Sequence, residues 1–345
     1  MTVSQAPLSI LSPSGAAALG ADPGWSEDRV LNIHRAMVRS RVLDEHVARL
    51  QRRGLVGLWA PAHGYEAHIY GALTAMKDED WLFADARMTG AALYRGLDVR
   101  SWLAMLLGSG GSGHNGHAMS SEMTASAHNF VTISSPLGTQ IIQASGTAHG
   151  MKLRKQSTAC LTWFGPAAAA SGDFHVGLNF AGLYKVPAVF YLCTSGDEAA
   201  DRERFAGEAF VDKADGYGIE GVRVDGSDVF AVYAAVAAAA KRARKGLGPT
   251  LIEGLTGGVD GDADPVERLE VYMADRGIDV EEAQATAGRK LRPLLKTWTT
   301  ELLGEGSPEL RSLFDHVYDA PTPQLLEQRE GLEAHRRRFQ GGGLA

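Results

Sequence analysis

From residue 158 to residue 255 the chain alternates short apolar runs with stretches of helical periodicity, and this alternation constrains the fold more than any other feature. Residues 158–164, 186–193, 221–224 and 250–255 read as strands, and residues 172–184, 198–215 and 229–245 read as the helices between them. Strands joined through helices lie parallel in one sheet, with the helices packed on its faces. The expected fold is α/β, a doubly wound and mostly parallel sheet with helical extensions. The turn after the first of these strands opens at the carboxyl end of a strand and the start of a helix. Open α/β sheets bind ligands there, because a helix N-terminus presents unpaired N–H groups to a phosphate. Yet the turn from Gly165 to Ser171 carries no carboxylate, amide side chain or base. It has the position of a cofactor loop without the chemistry of one.

The remaining periodicity is helical. Val30, Ile33, Met37, Leu43, Val47 and Leu50 recur at three- and four-residue steps over residues 26–53, and further helices are expected at 64–76 and 90–107. The glycine-rich stretch 108–117 is too flexible for either regular structure. Residues 134–155 read as a turn followed by a small-residue helix. A Gly/Asp-rich loop covers 257–264, and helices follow to the end, including an amphipathic one at 325–339. The organisation expected is a flexible N-terminal arm (1–25), an α/β domain (26–256), and a Gly/Asp loop with a C-terminal helical extension (257–345).

Composition narrows the function classes. The chain has 345 residues, 45% hydrophobic and 22% charged, with a net charge of −7. Nucleic-acid binding wants clustered cations. Here they occur only at residues 241–245 and 336–338, where they read as solvated helix ends, so no nucleic-acid partner is expected. No apolar run reaches the ~18–20 residues that span a bilayer, and no membrane partner is expected. The two cysteines, Cys160 and Cys193, sit in strand-like runs and read as buried, reduced residues of a cytoplasmic protein. His114 and His117 have a metal-compatible spacing but no nearby Cys or acid to complete a set, so a polar loop is the simpler reading.

Several segments taken in order resemble one family. They are Arg41-Val42-Leu43-Asp44-Glu45, His63-Gly64-Tyr65-Glu66-Ala67, residues 130–140 ending Ser134-Ser135-Pro136-Leu137-Gly138-Thr139-Gln140, Ser171-Gly172-Asp173-Phe174-His175, residues 221–233 around Asp225-Gly226-Ser227-Asp228, and Leu313-Phe314-Asp315-His316-Val317-Tyr318. Over about residues 36–340 the chain resembles the alpha subunit of the thiamine-diphosphate-dependent 2-oxo acid dehydrogenases, the decarboxylating component, most closely the branched-chain type. The resemblance implies the thiamine-diphosphate-binding fold and a beta-type partner subunit that completes the active site. It also implies Mg²⁺ and thiamine diphosphate as cofactors, and a lipoyl carrier that receives the acyl group. By the same resemblance Ser134, Pro136, Thr139 and Gln140 form a turn that holds a monovalent cation such as K⁺, and Arg87, Ser134, Leu137, Gly138, Gly165, Pro166, Ala167, Thr194 and Ser195 occupy cofactor-pocket positions.

The departures from the family pattern gather at that pocket. The family's Gly-Asp-Gly or Gly-Glu-Gly, whose acid ligates Mg²⁺, is Gly165-Pro166-Ala167 here, and its Asn-Asn is Thr194-Ser195. Its Tyr-Arg pair is Ala86-Arg87, and the late loop that carries Arg and His in the family carries Asp260, Asp262 and Asp264. Asp173, Asp197 and Glu198 are the acids that a rearranged loop could bring to a metal. They read more simply as residues of helix first turns. His175 reads as a packed, hydrogen-bonded residue rather than a base. Three functions follow as alternatives: a non-catalytic structural or regulatory alpha-type subunit in a homo- or hetero-oligomer, an active alpha subunit for oxidative decarboxylation of a branched-chain 2-oxo acid, and a pocket repurposed for another small molecule. The late loop, with its acids and glycines, is expected to stay mobile or folded away from the cleft.

Overall fold

The computed structural model describes residues 6–339 apart from 13, 18–21, 116, 196, 198–199, 202, 258–262 and 316. Among the described residues there are five strands: β1 Trp81–Phe83, β2 Cys160–Phe164, β3 Ala188–Cys193, β4 Glu220–Asp225 and β5 Thr250–Leu255. They form one sheet in the order β1-β2-β3-β5-β4, every neighbouring pair parallel. The helices, in chain order, are α1 Glu27–Arg52, α2 Glu66–Ala75, α3 Gly90–Tyr94, α4 Val99–Leu107, α5 Thr139–Leu153, α6 Pro166–Ala169 and α7 Gly172–Tyr184, followed by α8 Lys213–Gly216, α9 Val229–Arg244, α10 Pro265–Asp275, α11 Val280–Arg289, α12 Leu291–Gly304 and α13 Pro323–Phe339.

The central strands β2 and β3 are buried along their whole length because both faces of the sheet are covered there. Leu161, Trp163, Val189, Tyr191 and Ile252 point into a core shared with α1, α2, α9 and α10. Their alternate neighbours Cys160, Phe164, Ala188, Phe190 and Leu251 point into a second core under α5 and α7. This is the doubly wound α/β arrangement expected from the alternation of strand and helix. Capping fixes the helix starts: Ser26, Asp98, Ser171 and Asp228 each accept a backbone N–H of the first turn.

Four expectations are corrected. The helix at 90–107 is two, because Gly96 at φ +109 leaves the helical region and Asp98 caps a new start. The helix at 198–215 is broken up among its described residues: Ala200 and Asp201 are helical, turns and bends follow over residues 203–208, and a 3-10 turn at Phe210–Asp212 leads into the short α8. Phe210 and Val211 are buried against the sheet there, and the Val211 amide donates to Glu253 Oε2 at 3.1 Å. Strand β1 was not expected. Finally, the described part of the N-terminal arm is docked, with Ile10 and Leu11 buried and their amides donating to Asp228 Oδ2 at 2.6 Å each.

Arg268 clamps this docked segment. It is 2% exposed, donates to Asp225 Oδ2 at 2.8 Å and to the Ser12 carbonyl at 2.9 Å, and also reaches the Leu11 carbonyl. Helix α10 also joins the main body, since its Val266, Leu269, Tyr272 and Met273 lie in the first core. Helix α13 is largely exposed. Among the described residues no helix is long and apolar enough to cross a membrane.

Candidate functional site

The carboxyl ends of β1, β2, β3 and β5 bring Asp85, Gly165, Thr194 and Thr256 to one edge of the sheet. At the β2 end, Gly165 is the N-cap of α6 and Pro166 its first residue. Proline suits that position sterically but has no N–H to offer. The amides of Ala168 and Ala169 both donate to the Gly165 carbonyl, at 3.1 and 3.2 Å. Ala167 is therefore the one residue of this first turn whose N–H is left for an anion, and the side chains bring no charge.

The β3 end is closed by a directional chain of hydrogen bonds. The Thr256 hydroxyl donates to the Thr194 carbonyl at 2.5 Å, and the Thr256 amide donates to Thr194 Oγ1 at 2.9 Å. Because the Thr256 hydroxyl hydrogen is spent on that carbonyl, its oxygen accepts from His68 Nε2, 3.2 Å away. The other ring nitrogen, His68 Nδ1, then accepts from the Tyr191 hydroxyl at 3.0 Å. Burial pushes the His68 ring down to about 3, so the imidazole is neutral, as this chain of donors requires. The Tyr65 hydroxyl adds a second donor to the Thr194 carbonyl at 3.3 Å. Close packing locks the ring in place. A Cβ on Gly226 would lie 1.9 Å from His68 Cε1, and one on Gly254 would lie 2.4 Å from the Tyr191 hydroxyl.

Ser195 is tied up in the same way. Its hydroxyl bonds Asp201 Oδ1 at 2.8 Å and its amide donates to Asp201 Oδ2 at 3.1 Å. Asp201 is buried, and nothing in the sequence distinguished it from a surface acid. Asp197 caps Ala200, accepting its amide at 3.1 Å. Glu198 lies outside the described residues.

Arg87 stands at the β1 end. Its Nη1 donates to the Pro61 carbonyl at 3.0 Å, and its guanidinium sits 5.1 Å from the centroid of the Tyr65 ring. A tyrosine from the turn before α2 thus faces the arginine whose preceding residue is Ala86. Burial pushes the Asp85 carboxyl up, while the Arg87 amide and guanidinium draw it back. Burial, together with Asp85, also pushes the Cys193 thiol far up, which makes it an inert neighbour.

The turn before α5 packs on the start of α7. Gly138, at φ +91, is where a Cβ would meet Ser171 Oγ at 2.4 Å, so only glycine allows the approach. Thr139 Oγ1 lies 3.5 Å from Asp173 Oδ2, which keeps that acid in the α5–α7 contact. Gln140 donates to the Trp163 carbonyl at 3.2 Å, and its Oε1 is buried with no hydrogen-bond partner. Ser134 is half-buried, whereas Pro136 and Leu137 are exposed.

Other sequence candidates fall outside this edge. His175 pairs with the Tyr217 hydroxyl. His117 bonds the Ser312 carbonyl at 2.8 Å, and among the described residues no group of three or more His, Cys, Asp or Glu could hold a metal ion. Asp264, expected within the Gly/Asp loop, instead caps α10 and accepts Arg41 Nη2 at 2.8 Å; burial opposes its charge, but these bonds hold its carboxyl below the usual range. Arg41 also donates to the buried Glu66 at 2.7 Å. Asp260 and Asp262 lie outside the described residues. In the basic run at 241–245, Arg244 is not merely solvated but pairs with the buried Asp80.

These features coincide with a match of residues 34–289 to the dehydrogenase E1 component family. The chain is 30% identical over 339 residues to the mitochondrial 2-oxoisovalerate dehydrogenase subunit alpha of Homo sapiens, which spans 91% of this chain and 76% of that one. It is 30% identical over 362 residues to the 3-methyl-2-oxobutanoate dehydrogenase subunit alpha of Mycobacterium tuberculosis, covering 97% and 95% of the two chains. The 2-oxoisovalerate dehydrogenase subunit alpha of Dictyostelium discoideum is 29% identical over 341 residues, 91% of this chain and 77% of its own. The family match over most of the chain, the 30% identity to alpha subunits and the parallel α/β sheet together show that this chain belongs to the dehydrogenase E1 component family, as an alpha-type member.

Proposed function

We infer that this alpha-type chain has lost the binding of Mg²⁺-thiamine diphosphate and serves as a structural or regulatory subunit beside a beta-type partner. One observation carries the reading: the oxygens of Thr194 and the hydroxyl of Ser195, which stand where a metal ligand is needed, are already engaged in hydrogen bonds with Thr256, Tyr65 and Asp201. A diphosphate brings at least two negative charges, and burying them without a divalent ion and matching donors costs several kcal/mol. Gly165-Pro166-Ala167 supplies neither an acid for the ion nor a full set of amides for the phosphate, so the donors present do not fit the group. The outer faces of α5 and α7 leave Leu153, Val176 and Leu183 at 70%, 64% and 71% exposure, which favours a chain that works in an oligomer. Two buried free cysteines favour a reducing, cytoplasmic setting.

A second reading is an active alpha subunit that decarboxylates a branched-chain 2-oxo acid and passes the acyl group to a lipoyl carrier. The Arg87–Tyr65 contact favours it, because it restores a tyrosine beside the arginine. Co-expression with a beta-type subunit separates the two. The first reading expects a stable complex, heavier than either chain by light scattering, without 2-oxo acid-dependent reduction of an artificial electron acceptor. Turnover by the complex would establish the second, and a chain that stays monomeric and ignores the beta-type subunit would remove the first.

A further inference from the structure

The helical layer holds a cleft with no part in the sheet edge described above. It measures about 370 Å³, within the range of small-molecule sites, and lies between α1, α2, α3, α4 and α12. Its rim carries Arg35 and Arg39, one turn apart on α1. Arg35 is partly engaged, since it donates to Asn32 at 2.9 Å and also borders a neighbouring groove with Glu27, Asp279 and Glu282. Arg39 is exposed and has no ion-pair or hydrogen-bond partner among the described residues.

The interior is mixed in a way that suits an organic acid. Leu43, Leu93, Val99 and Leu291 supply an apolar wall, and the rings of Tyr70 and Tyr94 meet at 5.7 Å between centroids. The floor is polar and nearly inaccessible: the Tyr70 hydroxyl bonds Ser40, and both residues are buried. Gly90 keeps that floor open, because a Cβ there would lie 2.6 Å from the Tyr70 hydroxyl and 3.6 Å from Ser40 Oγ.

An unpaired guanidinium, Arg39, beside an apolar, tyrosine-lined cleft matches a monocarboxylate with a branched aliphatic or aromatic body. The planar fork takes the carboxylate in two parallel hydrogen bonds, and the body displaces water from the leucines. We propose that this cleft is a binding site for such an acid, with Arg39 holding the carboxylate and Leu93, Leu291 and Tyr94 holding the body. The site stands whether or not the chain binds a cofactor at the sheet edge.

Calorimetric titration of the full chain with 4-methylpentanoate and 3-phenylpropanoate, and with their neutral amides, tests this. At least one acid is expected to bind with a Kd below about 1 mM, corresponding to about −4 kcal/mol. The matching amide should bind at least tenfold more weakly. Arg39→Glu, a change on the surface that leaves the core intact, should weaken the acid at least tenfold, and Leu93→Trp, which fills the cleft, should abolish binding. Absence of heat from both acids would overturn the proposal and leave the cleft to a partner's side chain. Acid binding that survives both substitutions, or that the amide equals, would overturn it as well.

Discussion

Thr194 and Thr256 satisfy each other: the hydroxyl of Thr256 reaches the carbonyl of Thr194 at 2.5 Å while the amide of Thr256 reaches the hydroxyl of Thr194 at 2.9 Å. This pairing joins the β3 and β5 ends at the position where the family resemblance would put a metal ligand, and it is continuous with His68 and Tyr191 behind it. Thr256→Val keeps the shape but removes the donor to the Thr194 carbonyl and the acceptor for His68. The Thr194 carbonyl keeps the Tyr65 hydroxyl, but His68 Nε2 is left buried and unpaired, which costs about 1–3 kcal/mol. Urea unfolding should show a loss of at least that size, and a loss under about 0.5 kcal/mol, the size of an ordinary surface substitution, would mean that the chain of hydrogen bonds is not closed as described.

The close approach of Gly226 to His68 makes a second test. Gly226→Ala places a Cβ within 1.9 Å of His68 Cε1, and His68 cannot retreat because Tyr191 and Thr256 hold both of its nitrogens. Overpacking of this kind costs about 1–3 kcal/mol. Pairing it with His68→Ala should give a double variant more stable than the sum of the two losses. Simple additivity would separate the two residues.

The alternation over residues 158–255 was legible because its punctuation is strong. Ser171 caps α7, Asp228 caps α9, and β3 carries an unbroken apolar run, so these elements lie where the sequence places them. Strand β1 has three residues, too few for a period to emerge. The docking of the N-terminal segment has no local sequence signal for a different reason: Ile10 and Leu11 are held by Asp228 and Arg268, more than two hundred positions away. At the sheet edge the sequence disclosed which family donors are missing, but not what replaced them. The Thr194–Thr256 pairing, the Asp201 contact and the placement of Tyr65 over Arg87 all join residues from different elements, and no local pattern marks them.

Arg268 gives a third expectation. Arg268→Ala strips the cation from Asp225, which is 1% exposed, and also releases the Ser12 and Leu11 carbonyls. Breaking a buried pair from one side costs about 3–5 kcal/mol. Limited proteolysis should then cut near residues 6–17 well before the rest of the chain is attacked. A variant with unchanged stability and unchanged cleavage would show that the clamp is not what docks this segment.

Asp44 should make stability pH-dependent. Burial, reinforced by the nearby Glu66, pushes its carboxyl up to about 6 despite hydrogen bonds from the Ala62 amide and the Trp59 indole. A carboxyl raised on folding holds its proton more tightly in the native state, so its contribution is fully present below the unfolded value near 4 and is lost as the pH rises through 6. The stability of the wild type minus that of Asp44→Asn should therefore fall by on the order of 2–3 kcal/mol between pH 4 and pH 7. A flat difference, or one that rises with pH, would contradict this assignment.

The central claim is that the sheet edge no longer accepts the cofactor, and the most direct measurement is calorimetric titration of Mg²⁺-thiamine diphosphate into the chain alone and into its complex with a beta-type subunit. Closure of the Thr194–Thr256 and Ser195–Asp201 pairs, together with the bare Gly165-Pro166-Ala167 turn, predicts no saturable heat at millimolar cofactor in either sample. Saturable binding with a Kd near 1 µM, about −8 kcal/mol, would contradict the account. It would require the threonine pair to open and supply the donors that the chain now keeps to itself.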